Sequence, residues 1–342
     1  MAVNWSPFHA HIHQTLKTRG LLPQGCRVLV GVSGGQDSLA LMCLLADLQP
    51  HWQWHLQGIH CNHGWRQDAD ANARFVVQTL AAWQIDCAVV TAEPPPQGEA
   101  AARQWRYGAF YRVACRDGCQ AVVTGHTASD RAETLLYNLI RGSGADGLQA
   151  LTWQRPLQER DPKVQLVRPL LNCTRAQITE FCQTQMLSIW EDSTNCDRTY
   201  ARNRLRLDLL PWLRQHFNPQ VDRTLAQAAE ILSAEVDYLD TQTDLLWQQC
   251  WDTSHHCLDR RVLALAPLAL QRRVLYRWVK QIAPRQIRFT HVEKLVVLIT
   301  APNRSQTDPF PGGAIARVSD PWIEILQTNP GDSLHQDDSE TD

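Results

Sequence analysis

The stretch Arg27-Val-Leu-Val-Gly-Val32, Ser33-Gly-Gly-Gln-Asp-Ser38, Leu39-Ala-Leu-Met-Cys-Leu-Leu-Ala-Asp-Leu48 decides the fold. Its first six residues are an apolar run with β-branched members, which reads as a strand buried on both faces. The last ten are helix formers without Pro or Gly. A strand, a glycine turn and a helix make half of an α/β unit, and the pattern recurs. Residues 54–63 read as a strand, 69–83 as a helix with Phe75, Thr79 and Leu80 inward, and 86–92 as a strand. A proline run at 94–96 precedes a helix over 99–114, a strand over 119–126 and a helix over 128–140. Leu166-Val-Arg-Pro-Leu-Leu171 returns the chain to the sheet edge. Strands alternating with helices predict a doubly wound, mostly parallel sheet. Ligands of such a sheet lie beyond the carboxyl ends of its strands, where the turns at Ser33 and at Gly125-His126 both fall.

The turn suits phosphate. Gly34 and Gly35 give the backbone freedom and let a phosphate approach closely, and Ser33 and Ser38 offer hydroxyls. Amides opening the next helix add a positive field. Asp37 would repel phosphate unless a divalent cation lies between them, so it implies Mg²⁺. The lysine of the GxxxxGKS/T loop is missing, which argues against an ordinary ATPase or kinase loop. A pyrophosphate cradle fits ATP cleaved between its α- and β-phosphates. The alternative is a tight turn that serves packing alone.

Asp130 and Glu133 are three apart on a helix and share a face, with His126 at the preceding strand end. The pair suits first-turn capping. It suits equally Mg²⁺ binding, or the orientation and deprotonation of an amine, since an ammonium has no lone pair for attack. Arg141-Gly-Ser-Gly144 fits a phosphate clamp or a helix end with its loop. Glu191-Asp-Ser-Thr-Asn195 leads into Arg198, Arg202, Arg204 and Arg206, which form a solvated face or a contact surface for a nucleic-acid backbone. His63, at a strand's carboxyl end, is a site candidate. The 13 tryptophans serve mostly as core anchors, with one or two able to stack on exposed bases.

With 342 residues, 44% of them hydrophobic, two domains are expected. Residues 1–215 read as the ATP-binding catalytic domain, 216–330 as a smaller, mainly helical accessory domain, and 331–342 as an acidic, disordered tail. Asn218-Pro219 starts a helix in the accessory region, and a capping box of Thr290 with Glu293 starts a later one. Net charge is -2, yet residues 260–304 hold ten Lys or Arg against Glu293 alone, a basic face suited to a polyanion. The 11 cysteines include no CxxC, which speaks against a persulfide or cluster chemistry. Unpaired thiols predict a reducing compartment, the cytoplasm. No signal peptide and no membrane span are expected.

Several motifs in order carry a resemblance. SGGQDS at 33–38 resembles the SGGxDS loop of the N-type ATP pyrophosphatase (PP-loop) superfamily. HCNHGWR at 60–66, GEAAARQWRY at 98–107, GHTASDRAET at 125–134, LIRGSG at 139–144, RPLL at 168–171 and EDSTNCDRTYARNRLR at 191–206 are similar to the tRNA(Ile)-lysidine synthase family. The resemblance implies that ATP adenylates the wobble cytidine of a tRNA(Ile) with a CAU anticodon. Free L-lysine then displaces AMP, changing decoding from AUG to AUA. It assigns ATP to Ser33, Gly34, Gly35, Gln36, Asp37, Ser38 and Arg106, and Mg²⁺ to Asp37 and Asp130. Asp37, His126, Asp130 and Glu133 line the reaction centre. His63, Arg103, Glu133, Arg141, Arg198, Arg202 and Arg204 meet tRNA or lysine. The family commonly has two adjacent aspartates where this chain has Ser129-Asp130, which favours Asp130 as the indispensable acid. The residues leave open whether the chain acts as a homodimer.

Overall fold

The computed structural model describes residues 5–191, 198–199, 201–282 and 287–327. The acidic tail 331–342 and the stretch Asp192–Asn195 lie outside the described residues. In chain order the first elements are α1 (Pro7–Arg19), β1 (Arg27–Gly31), α2 (Gln36–Trp52), β2 (His55–Asn62), α3 (Ala69–Ala82) and β3 (Cys87–Thr91). There follow α4 (Gly98–Arg116), β4 (Ala121–Val123), α5 (Ala128–Ile140), α6 (Ala145–Leu148), β5 (Gln154–Gln158), β6 (Asp161–Val167) and α7 (Arg175–Thr184). The strands form one sheet in the order β3-β2-β1-β4-β6-β5. All its pairs are parallel except the β5–β6 hairpin.

After the exposed Arg27, β1 is apolar because both of its faces are covered. Val28, Val30 and Val32 join a core built with Ile12 and Leu16 of α1, Leu41 and Leu45 of α2, Val76 and Leu80 of α3, and Ile178 and Phe181 of α7. Leu29 points to the other core, with Phe110 and Val113 of α4, Val122 and Leu166. Full burial of one such side chain contributes about 1.5–3 kcal/mol. Residues 166–171 do lead back to the sheet, but β6 is one strand in from the edge. The edge belongs to β5, whose Gln154-Arg-Pro-Leu-Gln158 lacks an apolar run.

The chain continues through α8 (Ala201–Arg204), a wider π-type turn (Leu205–Leu209), α9 (Leu210–His216) and α10 (Val221–Cys250). Two compact units divide between Ser233 and Ala234, inside α10. The physical reason is Glu230. Its Oε2 accepts from Arg131 Nη1 at 2.6 Å and from Trp153 Nε1 at 2.7 Å, which ties the start of α10 to the first unit. Asn218-Pro219 therefore marks a helix start and not a change of core.

The second unit holds β7 (Trp251–Asp252), β8 (Cys257–Asp259), α11 (Arg260–Leu265), α12 (Leu268–Ile282), α13 (Phe289–Leu298), β9 (Ala314–Ser319) and β10 (Trp322–Gln327). Beside its helices runs an antiparallel sheet ordered β7-β8-β10-β9. Leu258, Val274, Trp278, Leu295 and Ile323 share its core. The expected Thr290–Glu293 capping box is not formed. α13 starts two residues earlier, with Arg288 as its cap, and the Glu293 carboxylate accepts from Arg272 at 2.7 and 3.0 Å. A guanidinium is the stronger donor.

Candidate active site

β1 sits between β2 and β4, where the strand order turns, so the loops leaving β1 and β4 part and leave a crevice. Gly34 has φ +90, and a Cβ there would lie 2.6 Å from Asn72 Oδ1. Only glycine fits both demands. The turn is braced from within. Ser33 N donates to Ser38 Oγ at 3.1 Å, Ser38 Oγ donates to Gly35 O at 2.9 Å, and Gly35 N donates to Ser33 Oγ at 3.3 Å. Asn72 Nδ2 donates to Ser33 O at 3.1 Å from outside. Gly35 caps α2 without a side-chain acceptor, so the first-turn amides are left for an anion. The Gln36 amide is spent on Thr179, at 2.9 Å, and contributes only backbone to the turn.

Asp37 lies in that first turn of α2. Its Oδ2 accepts from Arg175 Nη2 at 3.1 Å, while Oδ1 is buried without a hydrogen-bond partner. Burial pushes the carboxyl above its usual range; Arg175 pulls it back, and Asp130 pushes it further up. A buried carboxylate oxygen with an unused lone pair, beside a phosphate cradle, is the hard donor a Mg²⁺ ion takes.

Gly125 brings the second segment against the first. A Cβ there would stand 2.7 Å from Asp37 O and 3.1 Å from Ser38 N, both backbone atoms that cannot yield. Thr127 caps α5. Asp130 Oδ2 accepts from Thr127 N at 2.8 Å and from Thr127 Oγ1 at 2.9 Å, the reciprocal box of a helix start. Its other oxygen accepts from Arg206 Nη2 at 2.9 Å. Glu133, one turn on, takes the same guanidinium through Nε at 2.7 Å and Nη2 at 2.9 Å. Capping therefore takes only one Asp130 oxygen, and Arg206 engages the other.

The electrostatics divide the two acids. Burial raises the Glu133 carboxyl, and Arg206 offsets only part of that rise. Burial would raise Asp130 as well, but His126, Arg206 and the Thr127 amide outweigh it and hold Asp130 below the usual range. Burial pushes His126 down to about 3 against the pull of Asp130, helped by Arg168, Arg103 and Arg106, so the ring is neutral. His126 Nδ1 bonds Thr124 Oγ1 at 2.9 Å.

Arg103 and Arg106, on α4, gather with Arg155 around Tyr107, at 4.9, 5.9 and 5.6 Å from the ring. His63 follows β2 at the same sheet end, within electrostatic reach of Arg106. Arg202 bonds Glu99 of α4 at 3.0 Å and lies 5.9 Å from the Tyr137 ring. Arg198 pairs with Asp208 at 3.2 Å, and Arg204 Nη1 donates to the carbonyls of Arg198 and Thr199 at 3.0 and 3.1 Å. Arg141 stands apart from the acids. It ends α5, some 16 Å along the helix from Asp130, and donates to Tyr137 Oη at 2.6 Å. The thiols nearby are protonated: burial pushes Cys182 up to about 11 and the half-buried Cys61 to about 12.

Two residues of this site stand where the sequence does not suggest them: Arg175 is not among its candidates, and Arg206 is named only for a nucleic-acid backbone. Arg206 reads with its neighbours as surface, yet its spacing of four from Arg202 puts both on one helix face. Arg175 opens α7 directly after its Thr174 cap, where a cation opposes the helix dipole. A cation in that unfavourable position, held there by a distant carboxylate, is the available signal.

Residues 6–213 match the family model of the PP-loop domain. The chain is 52% identical over 333 residues to the tRNA(Ile)-lysidine synthase of Nostoc sp. (strain PCC 7120), covering 93% of this chain and 96% of that one. It is 48% identical over 326 residues to the tRNA(Ile)-lysidine synthase of Thermosynechococcus vestitus, covering 95% and 94%. Among solved structures, the U34-tRNA thiolase NcsA from Methanococcus maripaludis has the same fold, with a TM-score of 0.56 at 18% identity over 66% of this chain and 80% of that one. With the cradle, the acid pair and matches along nearly the whole chain in hand, the chain belongs to the tRNA(Ile)-lysidine synthase family and carries its PP-loop domain.

Proposed function

We propose that the protein is an ATP-dependent ligase that joins free L-lysine to the wobble cytidine of tRNA(Ile) with a CAU anticodon. The observation that carries this reading is one juxtaposition. A phosphate cradle ending in the unpartnered Asp37 Oδ1 touches, through Gly125, the turn that opens the helix of Asp130 and Glu133. In this reading the cytosine carbonyl oxygen attacks the α-phosphorus of ATP, and the bond to pyrophosphate breaks. A lysine amine then attacks the activated ring carbon, and the carbon–oxygen bond to AMP breaks.

The residues divide the work. Ser33, Ser38 and the α2 amides bind the phosphates. Asp37 would hold Mg²⁺ with them, and the ion would supply charge neutralisation at the leaving pyrophosphate. Asp130 and Glu133 set two carboxylates against the single guanidinium of Arg206, and the charge left over seats the lysine ammonium. Glu133, with its raised carboxyl, takes the amine proton. Neutral His126 and the guanidiniums of Arg103 and Arg106 line the side from which the base enters.

Arg198, Arg202 and Arg204 meet the tRNA backbone in this reading, and residues 216–330 supply further tRNA contacts. Among the described residues no helix is long and apolar enough to cross a membrane, and we place the reaction in the cytoplasm. The test is AMP release from ATP with lysine and tRNA supplied singly and together, followed by mass analysis of the anticodon loop. Sustained AMP release that needs both, with one lysyl group gained by the loop, supports the proposal. AMP release indifferent to lysine, or an unmodified loop, refutes it.

A further inference from the structure

One of the 13 tryptophans is displayed at the carboxyl end of the parallel sheet rather than buried. Trp65 follows β2 at the carboxyl end of the sheet and is 43% exposed, against 2% for the core residues Trp54 and Trp278. Its position is built. Gly64, at φ +69, donates its N–H to Asn62 Oδ1 at 2.9 Å, and Asn62 Nδ2 donates to Asp70 Oδ1 at 2.9 Å. Trp65 Nε1 donates to Pro96 O at 2.7 Å, so the proline run 94–96 anchors the indole. The indole stacks on His63, with centroids 5.2 Å apart and planes at 27°, and Trp105 of α4 meets the same imidazole edge-on at 4.9 Å. His63 Nδ1 is buried and has no hydrogen-bond partner. Trp5 and Trp212 are as exposed, but neither lies at the carboxyl end of a strand.

A tryptophan kept for packing alone hides its faces. This one is fixed in orientation with much of its surface in water, which is what a preorganised stacking partner needs. We propose that Trp65, backed by His63 and Trp105, is the platform on whose free face an unstacked base of the anticodon loop lies. The inference rests on the reading under Proposed function. Chemistry on a base needs that base out of its stack, and the lost stacking must be replaced. Aromatic rings do this for any base, and Arg106, close enough to perturb both His63 and His126, supplies positive charge for the flanking phosphate.

The test is a cycle on the full-length chain. Wild type, Trp65→Ala and Trp65→Phe are compared for binding an intact tRNA(Ile) anticodon stem-loop, and loops made abasic at each anticodon-loop position in turn. ATP KM is measured beside them. Trp65→Ala should weaken the intact loop roughly ten-fold, and Trp65→Phe should recover most of it. One abasic loop should bind wild type and Trp65→Ala equally, and ATP KM should not move. An equal loss on every loop, no loss on any, or a raised ATP KM (adenine on the platform) overturns the proposal. If wild type forms no lysine-dependent AMP with tRNA, the parent reading falls, and this one with it. If wild type is active and Trp65→Ala matches it in every assay, only this one falls.

Discussion

Replacing Arg206 with leucine tests whether its guanidinium neutralises the acid pair. Arg206 makes bonds of 2.7 and 2.9 Å to Glu133 and one of 2.9 Å to Asp130. The Glu133 side chain is 5% exposed and that of Arg206 24%. Removing one member of a buried pair costs about 3–5 kcal/mol, because the other charge stays behind. Water reaches Arg206, so the loss here should be about 2–4 kcal/mol at pH 8. The pH dependence is the sharper signature. Burial already raises the Glu133 carboxyl, and Arg206 is its main restraint, so the carboxyl rises further in the variant. A carboxyl whose folded pKa exceeds its unfolded value makes the folded state the better proton binder. Stability then falls as pH rises through that window. Asp130 has the opposite sign, held below its ordinary value, and its contribution is lost only as pH falls through the folded value. The variant's deficit should therefore shrink by about 1 kcal/mol or more between pH 8 and mildly acid pH, as the raised Glu133 carboxyl takes up its proton. Urea unfolding followed by circular dichroism at both pH values measures it. Pairing Arg206→Leu with Glu133→Leu should recover at least half the loss. A deficit unchanged with pH and not relieved by the double variant would refute the reasoning.

Asp37→Asn should lower AMP formation roughly 100-fold at every Mg²⁺ level while tRNA affinity stays within about two-fold; normal ATP turnover would remove the metal role. Arg175→Met takes away the cation that pulls the Asp37 carboxyl down, so the acid limb of the kcat/KM profile should move to higher pH. Gly125→Ala forces a methyl against the Asp37 backbone at 2.7 Å and should lower kcat ten-fold or more with the far-UV spectrum intact, read by steady-state kinetics and circular dichroism. Replacing Arg198 or Arg202 by Gln should weaken tRNA binding and reduce its salt slope by about 0.9 for each phosphate no longer neutralised; a change in ATP affinity alone would assign the residue to the nucleotide pocket.

The readable part of this protein is the part written locally. An apolar strand, a glycine turn and a helix announce β1, the cradle and α2 within 22 residues, and the same alternation gives the parallel sheet. The ion pairs that set the site's charge are not local. Arg206 meets Glu133 across 73 residues, and Arg175 meets Asp37 across 138, distances at which no periodicity connects two side chains. β5 is illegible for a related reason, since an edge strand needs no apolar run. Ser129 shows what the three-dimensional neighbours add. Where the family commonly has a first aspartate, this side chain is 6% exposed and faces the start of α10. Burial would raise the Asp222 carboxyl there, but Arg214, bonded at 2.6 and 2.8 Å, and the Ser129 hydroxyl bring it below the ordinary range. An aspartate at 129 would set two buried carboxylates against the one guanidinium of Arg214, a repulsion that must raise one of them or push the helices apart. The departure from the family pattern is thus matched by Asp222, and it leaves Asp130, with one oxygen on Thr127 and the other on Arg206, as the acid that the site retains.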